Sequence, residues 1–407
     1  MNALAQKLQA RIRNTGSVTF RDFMQSALYD PAEGYYNTQP PKIGPAGDYY
    51  TSSNVHAAFG ASLAGLFTEL LSGLEGDPSK ANTAESPPAD DGCTILEIGA
   101  GTGQLAHDIL TALRIEHPQM YARVKYLIVE RSPAMDATQR QKLAEYLDKV
   151  EWRALTADGH PNVDSINGII FSNEVVDALP VHVIRVAPDG LEELYVTCGN
   201  APGSAAPPLP SNERLAGSES TSSPSQSAPE FRFSWGNLSS GRIKQYIDRM
   251  DVDLPEGQVV EVNLDAVDWL RAITGVLSTG YLVTIDYGDI AGHLYGQDRR
   301  RGTLRAFYKH AIAPSVLERV GEQDITASVN FTALMEYGRD AGLETISFER
   351  QSAFLVRMGL IDRIAAMAIQ PEEALADLKD RLAIKNLFVP GGASDNFRVL
   401  IQRKGRL

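Results

Sequence analysis

Thr94-Ile95-Leu96-Glu97-Ile98-Gly99-Ala100-Gly101-Thr102-Gly103-Gln104 decides the fold: an apolar run broken by one acid, three glycines at alternate positions, then a helical pattern. This reads as a strand, a tight turn and a helix start. Alternating glycines let the backbone take positive φ and let a ligand approach where a Cβ would collide. A helix opening at Gln104 turns free N–H groups toward whatever lies over the turn. In an open α/β sheet this position, at the carboxyl end of the first parallel strand, is where nucleotide-like ligands bind.

Downstream the pattern alternates between strand and helix, as in a parallel sheet. The spacing predicts a helix over 104–115, a strand over 124–129 ending in Glu130, a helix over 133–147 and a strand over 168–172 running into Asn173-Glu174-Val175-Val176-Asp177. Strands at 181–187 and 192–197 follow. Residues 199–229 are rich in Ala, Gly, Pro and Ser and too poor in apolar residues to pack, so they read as a disordered insertion. Helical patterns resume at 239–250 and 263–276. Tyr281-Leu282-Val283-Thr284-Ile285-Asp286 reads as a buried strand, followed by helices over 312–320, 331–342, 352–368 and 371–385 and strands near 344–350 and 396–402.

Upstream, residues 1 to 30 read as two helices, with Leu4, Leu8 and Ile12 at helical spacing and Thr19 three residues before Asp22 as an N-cap. Lys7, Arg11 and Arg13 with no acid before Asp22 give a transit-peptide-like composition, but the helical spacing favours an integral amphipathic helix. Gly47-Asp48-Tyr49-Tyr50-Thr51 concentrates small and hydroxyl groups before a helix beginning near Val55, which makes Gly47, Asp48 and Thr51 candidates for the ligand site. Residues 74–92 are an acidic, Pro/Ser-rich surface loop. The expected domains are a helical and loop region over 1–92, a Rossmann-like core over 93–198, the insertion over 199–229, and the rest of the sheet with a helical accessory region over 230–407.

The bulk composition narrows the partners. At 43% hydrophobic and 22% charged residues the chain is an ordinary globular protein, and its net charge of -13 argues against a general nucleic-acid or anionic-membrane surface. No apolar run reaches the ~18 residues of a membrane helix. Two cysteines far apart, Cys93 and Cys198, give no disulfide framework and point to a reducing compartment, and the seven histidines show no ligand spacing, so no metal is expected.

Three ligands compete for the glycine turn. A phosphate-cradling loop needs Lys-Ser/Thr after its last glycine, and here Gln104 follows Gly103. A dinucleotide fold wants GxGxxG, and the spacing here is GxGxG. S-adenosylmethionine fits best, because an acid two residues before a GxGxG turn, Glu97, can offset the charge on the amino end of the methionine moiety. Glu130, at the end of the next strand, can accept from both ribose hydroxyls.

The chain also resembles the MidA family of class I methyltransferase-like proteins, which includes the mitochondrial complex I assembly factor that acts as a protein arginine methyltransferase. The motifs are Asp30-Pro31 with Gly34-Tyr35-Tyr36, Gly47-Asp48-Tyr49-Tyr50-Thr51-Ser52, Glu97 to Gly103, Ser172-Asn173-Glu174-Val175-Val176-Asp177-Ala178-Leu179-Pro180, Ile285-Asp286-Tyr287-Gly288, Thr303-Leu304-Arg305-Ala306-Phe307-Tyr308 with His310, and Asp324-Ile325-Thr326 leading to Phe331. Where the family shows His-Val-Asp-Phe, this chain has Ser328-Val329-Asn330-Phe331. The resemblance implies a Rossmann-like class I methyltransferase sheet with a helical accessory region, S-adenosylmethionine as cofactor, and methyl transfer to arginine of a protein, a subunit of a respiratory NADH dehydrogenase. It implies a bacterial cytoplasmic or mitochondrial matrix location and is compatible with a homodimer. A methyltransferase with another acceptor and a cofactor-binding assembly chaperone without turnover stand as alternatives.

Arginine as acceptor calls for carboxylates that hold the guanidinium bidentately. Glu174 and Asp177, after the fourth strand, are the catalytic candidates, each also readable as a loop-orienting or capping acid. Asn173 is placed to hydrogen-bond cofactor or substrate. His310 is a candidate base or a structural histidine.

Overall fold

The structure, a computed structural model, describes residues 2–38, 56–74, 93–156, 159–199, 231–367 and 393–405. Gly47, Asp48, Thr51, the low-complexity stretch from 200, the loop before Gly92 and the helix expected at 371–385 lie outside them. The chain divides into two compact units, both discontinuous in sequence: one of residues 1–49, 177–266 and 290–333, the other of 50–176, 267–289 and 334–407. The expected boundaries at 92/93, 198/199 and 229/230 are not where the chain divides.

The unit bearing the glycine turn contains α1 (Ala58–Leu74), β1 (Thr94–Ile98), α2 (Gln104–Glu116), α3 (Pro118–Arg123), β2 (Lys125–Val129), α4 (Pro133–Lys142), β3 (Val150–Arg153), β4 (Ile166–Asn173), β5 (Leu277–Asp289), β6 (Leu343–Arg350), α5 (Gln351–Arg357), α6 (Leu360–Met367) and β7 (Phe397–Lys404). Its seven strands pair in the order β6-β7-β5-β4-β1-β2-β3. β4, β1, β2 and β3 run parallel, as does β5 beside β4; β7 enters antiparallel between β5 and β6. This is the Rossmann-like sheet that the resemblance implies. Continuous apolar runs such as Ile169-Ile170-Phe171 suit strands covered on both faces. One face packs Ile95, Tyr126, Ile128, Phe171, Val283 and Ile285 against Phe59 and Phe67 of α1 and Ile109 and Leu113 of α2, all fully buried.

The carboxyl ends of β1, β2 and β4 therefore line up in register: Ile98 pairs with Val129 and with Ser172. That alignment brings the glycine turn, Glu130 and the Asn173-Glu174 loop to one edge of the sheet.

The other unit carries the two expected N-terminal helices, Ala3–Thr15 and Phe20–Tyr29, the second capped by Thr19, whose hydroxyl accepts from the Asp22 amide at 3.1 Å. It also carries a five-stranded antiparallel sheet ordered 18–19, 190–198, 182–187 and 259–262, with 231–236 on 190–198, and a three-stranded sheet of 311–312, 305–308 and 324–326. Its core gathers Phe20, Phe23, Met24, Leu28, Tyr35, Val183, Leu194 and Ile325. The strands expected at 181–187 and 192–197 thus leave the parallel sheet and form a hairpin of their own, which a short connection such as 188–189 permits only for antiparallel neighbours.

Two expected helices differ. No helix spans 312–320: Ala313 donates to Ala306 O at 2.8 Å, extending the hairpin, and Pro314 biases its predecessor away from helix, while Gln323 Nε2 donates to Ser315 O at 2.9 Å to hold the loop. The helix expected at 352–368 breaks at Gly359, whose φ is +79°, into α5 and α6.

The sheet centre is tight. A Cβ at Gly168 would lie 2.1 Å from Thr94 O, and one at Gly280 would lie 1.9 Å from Gly168 O. Either glycine replaced by alanine must push apart backbone of neighbouring strands. Gly280→Ala is expected to destabilise the protein by roughly 2–4 kcal/mol, read as a fall in thermal midpoint by circular dichroism; an unchanged midpoint would mean the strands can part freely.

Candidate functional site

Gly99, Gly101 and Gly103 all have positive φ, at +70°, +53° and +80°. The turn is fixed by Gly99 donating to Val129 O at 3.0 Å and Gly103 donating to Ala100 O at 2.8 Å. A Cβ on Gly99 would meet Val175 Cγ2 at 2.9 Å, so the turn and the loop after β4 close on one another as well. Gly103 is the left-handed N-cap of α2, and no side chain caps that helix end. Its first N–H groups are left to a ligand.

Glu97 sits two residues before the turn and is 2% exposed. The Tyr126 hydroxyl donates to its Oε2 at 2.7 Å. Burial pushes the carboxyl up to about 7; the Tyr126 hydrogen bond opposes this and the charge of Glu130 adds to it. A buried carboxyl with one hydroxyl donor and no cation beside it among the described residues is an incomplete site. An ammonium group would complete it.

Glu130, at the end of β2, turns back on its own loop. Its Oε1 accepts from the Arg131 and Ser132 amides, both at 2.8 Å, and its Oε2 accepts from Gln139 Nε2 at 2.7 Å. Burial raises its carboxyl above the usual range despite these donors. Gln139, on α4, is fully buried and was not singled out in the sequence, where it is one polar residue of a polar helix. It also donates to Gly101 O at 2.9 Å and accepts from Trp152 Nε1 of β3 at 3.0 Å. One amide therefore joins the turn, the acid and the strand beyond it.

At the end of β4, Glu174 holds a left-handed backbone, φ +55°, unusual for a residue with a side chain. Its amide donates to Ile285 O at 2.9 Å. Asp286, fully buried on β5, accepts from the Val175 and Val176 amides at 3.2 and 2.9 Å through Oδ2 and from the Tyr287 amide at 2.9 Å through Oδ1. The motif Ile285-Asp286-Tyr287-Gly288 is thus the clamp on the loop that carries Glu174. Asn173 Nδ2 donates to Glu174 Oε1 at 3.3 Å, and Asn173 Oδ1 is buried with no partner among the described residues. The structure accordingly brings Glu97, the three glycines, Glu130, Asn173 and Glu174 to one sheet edge of this unit. The Gly99 cradle, the cation-seeking Glu97 and the orphaned Asn173 Oδ1 fit an adenosyl-sulfonium amino acid.

Asp177 and His310 belong to the other unit. Asp177 is buried, and its carbonyl accepts from Ala327 at 3.0 Å. His310 lies exposed, φ +61°, at the turn between strands 305–308 and 311–312. In the same unit the carboxyl of buried Glu261 accepts from the Thr303 and Leu304 amides at 2.8 and 3.1 Å, shaping the Thr303-Leu304-Arg305 motif, and the Thr303 hydroxyl in turn accepts from the Ser328 amide at 3.0 Å. Asn330 donates to the Tyr295 hydroxyl at 3.1 Å and to Met250 Sδ at 3.2 Å, while its Oδ1 accepts from Ala333 at 3.2 Å. An aspartate there has no N–H to give, so this chain's asparagine is fitted to its own surroundings.

Residues 81–349 match the model of a family described as S-adenosyl-L-methionine-dependent methyltransferase. The chain is 26% identical over 385 residues to the rat protein named mitochondrial protein arginine methyltransferase NDUFAF7, covering 89% of this chain and 76% of that one. It is 25% identical over 389 residues to the human protein of that name, covering 91% and 76%. A Burkholderia thailandensis protein crystallised with S-adenosyl-homocysteine superposes with a TM-score of 0.79 at 27% identity, over 99% of this chain and 92% of that one.

With the cofactor's ammonium set against Glu97, binding would depend on pH. Below about 7 the carboxyl is neutral and would have to lose a proton to form that pair, so affinity for S-adenosylmethionine is expected to fall as pH drops from 8 to 5.5, approaching tenfold per unit. In Glu97→Gln, affinity measured by calorimetry is expected to be weak and flat over that range. Because the folded carboxyl titrates above its ordinary 4.5, the stability it contributes is present below pH 4.5 and lost as pH rises through 7. The same variant is therefore expected to melt higher than the parent at pH 8 and not at pH 4.

Proposed function

The chain belongs to a family of S-adenosyl-L-methionine-dependent methyltransferases, and from that premise we propose that its methyl acceptor is an arginine side chain of a protein. The observation that carries the reading is Glu174: a carboxylate on a left-handed residue at the cofactor edge of the sheet, clamped from beneath by Asp286. Strain of this kind persists only where the surroundings enforce it, and it clusters where a side chain must be aimed. The names of the rat and human relatives support the same acceptor. The MidA resemblance extends the proposal to a subunit of a respiratory NADH dehydrogenase as the protein, and to the compartment that holds it.

The bound cofactor supplies a methyl group on a positively charged sulfur. What the chain must do is hold it, aim the acceptor and keep water out. Glu97 takes the cofactor's ammonium, Glu130 its ribose, and the Gly99–Gly103 backbone admits the chain between them. A guanidinium is protonated at any physiological pH and its nitrogens are poor nucleophiles. Glu174 pairs with the cation, orients one nitrogen along the line of the C–S bond, and draws off positive charge as the N–C bond forms and the C–S bond breaks. One proton would leave the methylated nitrogen, taken by the Glu174 carboxylate and passed to water, and the sulfur would keep the pair of the broken C–S bond. The proposal rests on Glu174 alone; Asp177 and His310, the other two catalytic candidates of the sequence, carry no part of it.

Incubation with isotopically labelled cofactor and a lysate, followed by mass spectrometry, is expected to place label on protein arginine. Label confined to lysine or to small molecules rejects the assignment. Glu174→Gln is expected to lower turnover by ~10²-fold or more with cofactor affinity unchanged; full turnover in that variant removes Glu174 from the mechanism.

A further inference from the structure

The hydrogen bonds around Glu130 restrict how it reads the cofactor, an inference that rests on Glu130 as the ribose carboxylate. Each carboxylate oxygen offers two lone-pair directions. Both of those on Oε1 are taken, by the Arg131 and Ser132 amides at 2.8 Å each. One on Oε2 is taken by Gln139 Nε2 at 2.7 Å. A single position is left.

Gln139 is not free to move aside. It is fully buried, its second N–H is held by Gly101 O at 2.9 Å, and its carbonyl oxygen is held by Trp152 Nε1 at 3.0 Å. Its Cα lies 3.3 Å from where a Cβ on Gly103 would stand, so the turn presses on its backbone too. Swinging the amide away would break the bonds to a part-buried carbonyl of the turn and to a part-buried indole N–H together.

We propose that Gln139 is a positioning residue that restricts Glu130 to one further hydrogen bond, at Oε2, so that Glu130 holds one ribose hydroxyl of the cofactor and not both. Through its bond to Gly101 it also fixes the spacing between the acid and the glycine turn. The second hydroxyl is then recognised elsewhere, and the two hydroxyls differ in what they contribute through Glu130.

The test is calorimetry of the full chain with S-adenosyl-homocysteine and its 2′-deoxy and 3′-deoxy analogues, for the parent, Glu130→Gln and Gln139→Met. In the parent background, the double-mutant cycle between Glu130→Gln and each deoxy analogue is expected to show coupling of ~tenfold for one hydroxyl and under about twofold for the other. Gln139→Met, which keeps the volume and removes both donors, is expected to abolish the asymmetry, so that both hydroxyls couple to Glu130. A residue that merely stabilised the fold would shift all three ligands equally. If Gln139→Met does not fold, Trp152→Phe, which removes the donor to the Gln139 carbonyl and leaves an aromatic ring under Arg140, is expected to narrow the asymmetry. Coupling of both hydroxyls in the parent background, or the parent's asymmetry surviving in these variants, overturns the inference and leaves Glu130 as the ribose acid. Coupling of neither, with S-adenosyl-homocysteine still bound, overturns that reading as well.

Discussion

Three residues in five, Gly99, Gly101 and Gly103, must take positive φ for β1 to turn into α2, and the loops around them are set by what that turn leaves room for. The first glycine is packed by Val175 of the loop after β4, the second gives its carbonyl to Gln139, and the third both opens α2 and lies against the backbone of α4. A side chain at Gly99 or Gly103 would strain the backbone; at Gly99 it would also collide with Val175, and at Gly103 it would crowd the backbone of α4. The turn is thus a gap in the chain as well as a bend, and three separate segments are built to its edge.

Charge is placed around that gap with the same economy of means. Glu97 is buried beside a single hydroxyl and is held near the boundary between neutral and charged, a state that only a cation resolves. Glu130 is satisfied almost to saturation by its own loop and by Gln139. Asp286 accepts from three backbone amides, clamping the loop that points Glu174. Three carboxylates of one unit are therefore left in different states: one is buried with a single hydroxyl donor, one is nearly saturated by its own loop and Gln139, and one braces another loop. Their surroundings, and not their chemistry, separate them.

The parallel core was legible because its strands are short apolar runs ending in polar turns, and because β1, its glycines and α2 follow one another without interruption. That Glu97, Glu130, Asn173 and Glu174 share one sheet edge was legible for the same reason: each lies at or near the end of an apolar run, and parallel strands in register bring such ends together. Gln139 was not, since a buried glutamine on α4 looks like any polar helical residue until Glu130, Gly101 and Trp152 are seen to converge on it. The role of Asp286 was hidden by 110 positions of chain between it and Val176. The helix expected at 312–320 failed because apolar spacing there comes from a hairpin strand followed by a loop that side chains hold.

The sequence by itself determined the class of sheet, the position of the glycine turn and the chemistry of the cofactor, because these depend on local backbone requirements and on residues at predictable strand ends. Tertiary structure alone decided how the chain divides into two discontinuous units, which strands leave the parallel sheet for an antiparallel one, and which polar groups are already satisfied. Those outcomes depend on contacts between residues far apart in sequence. A hydrogen-bonding group's free capacity is a property of its neighbours in space, so Glu130 could be named from the sequence, while the single position left on it could not.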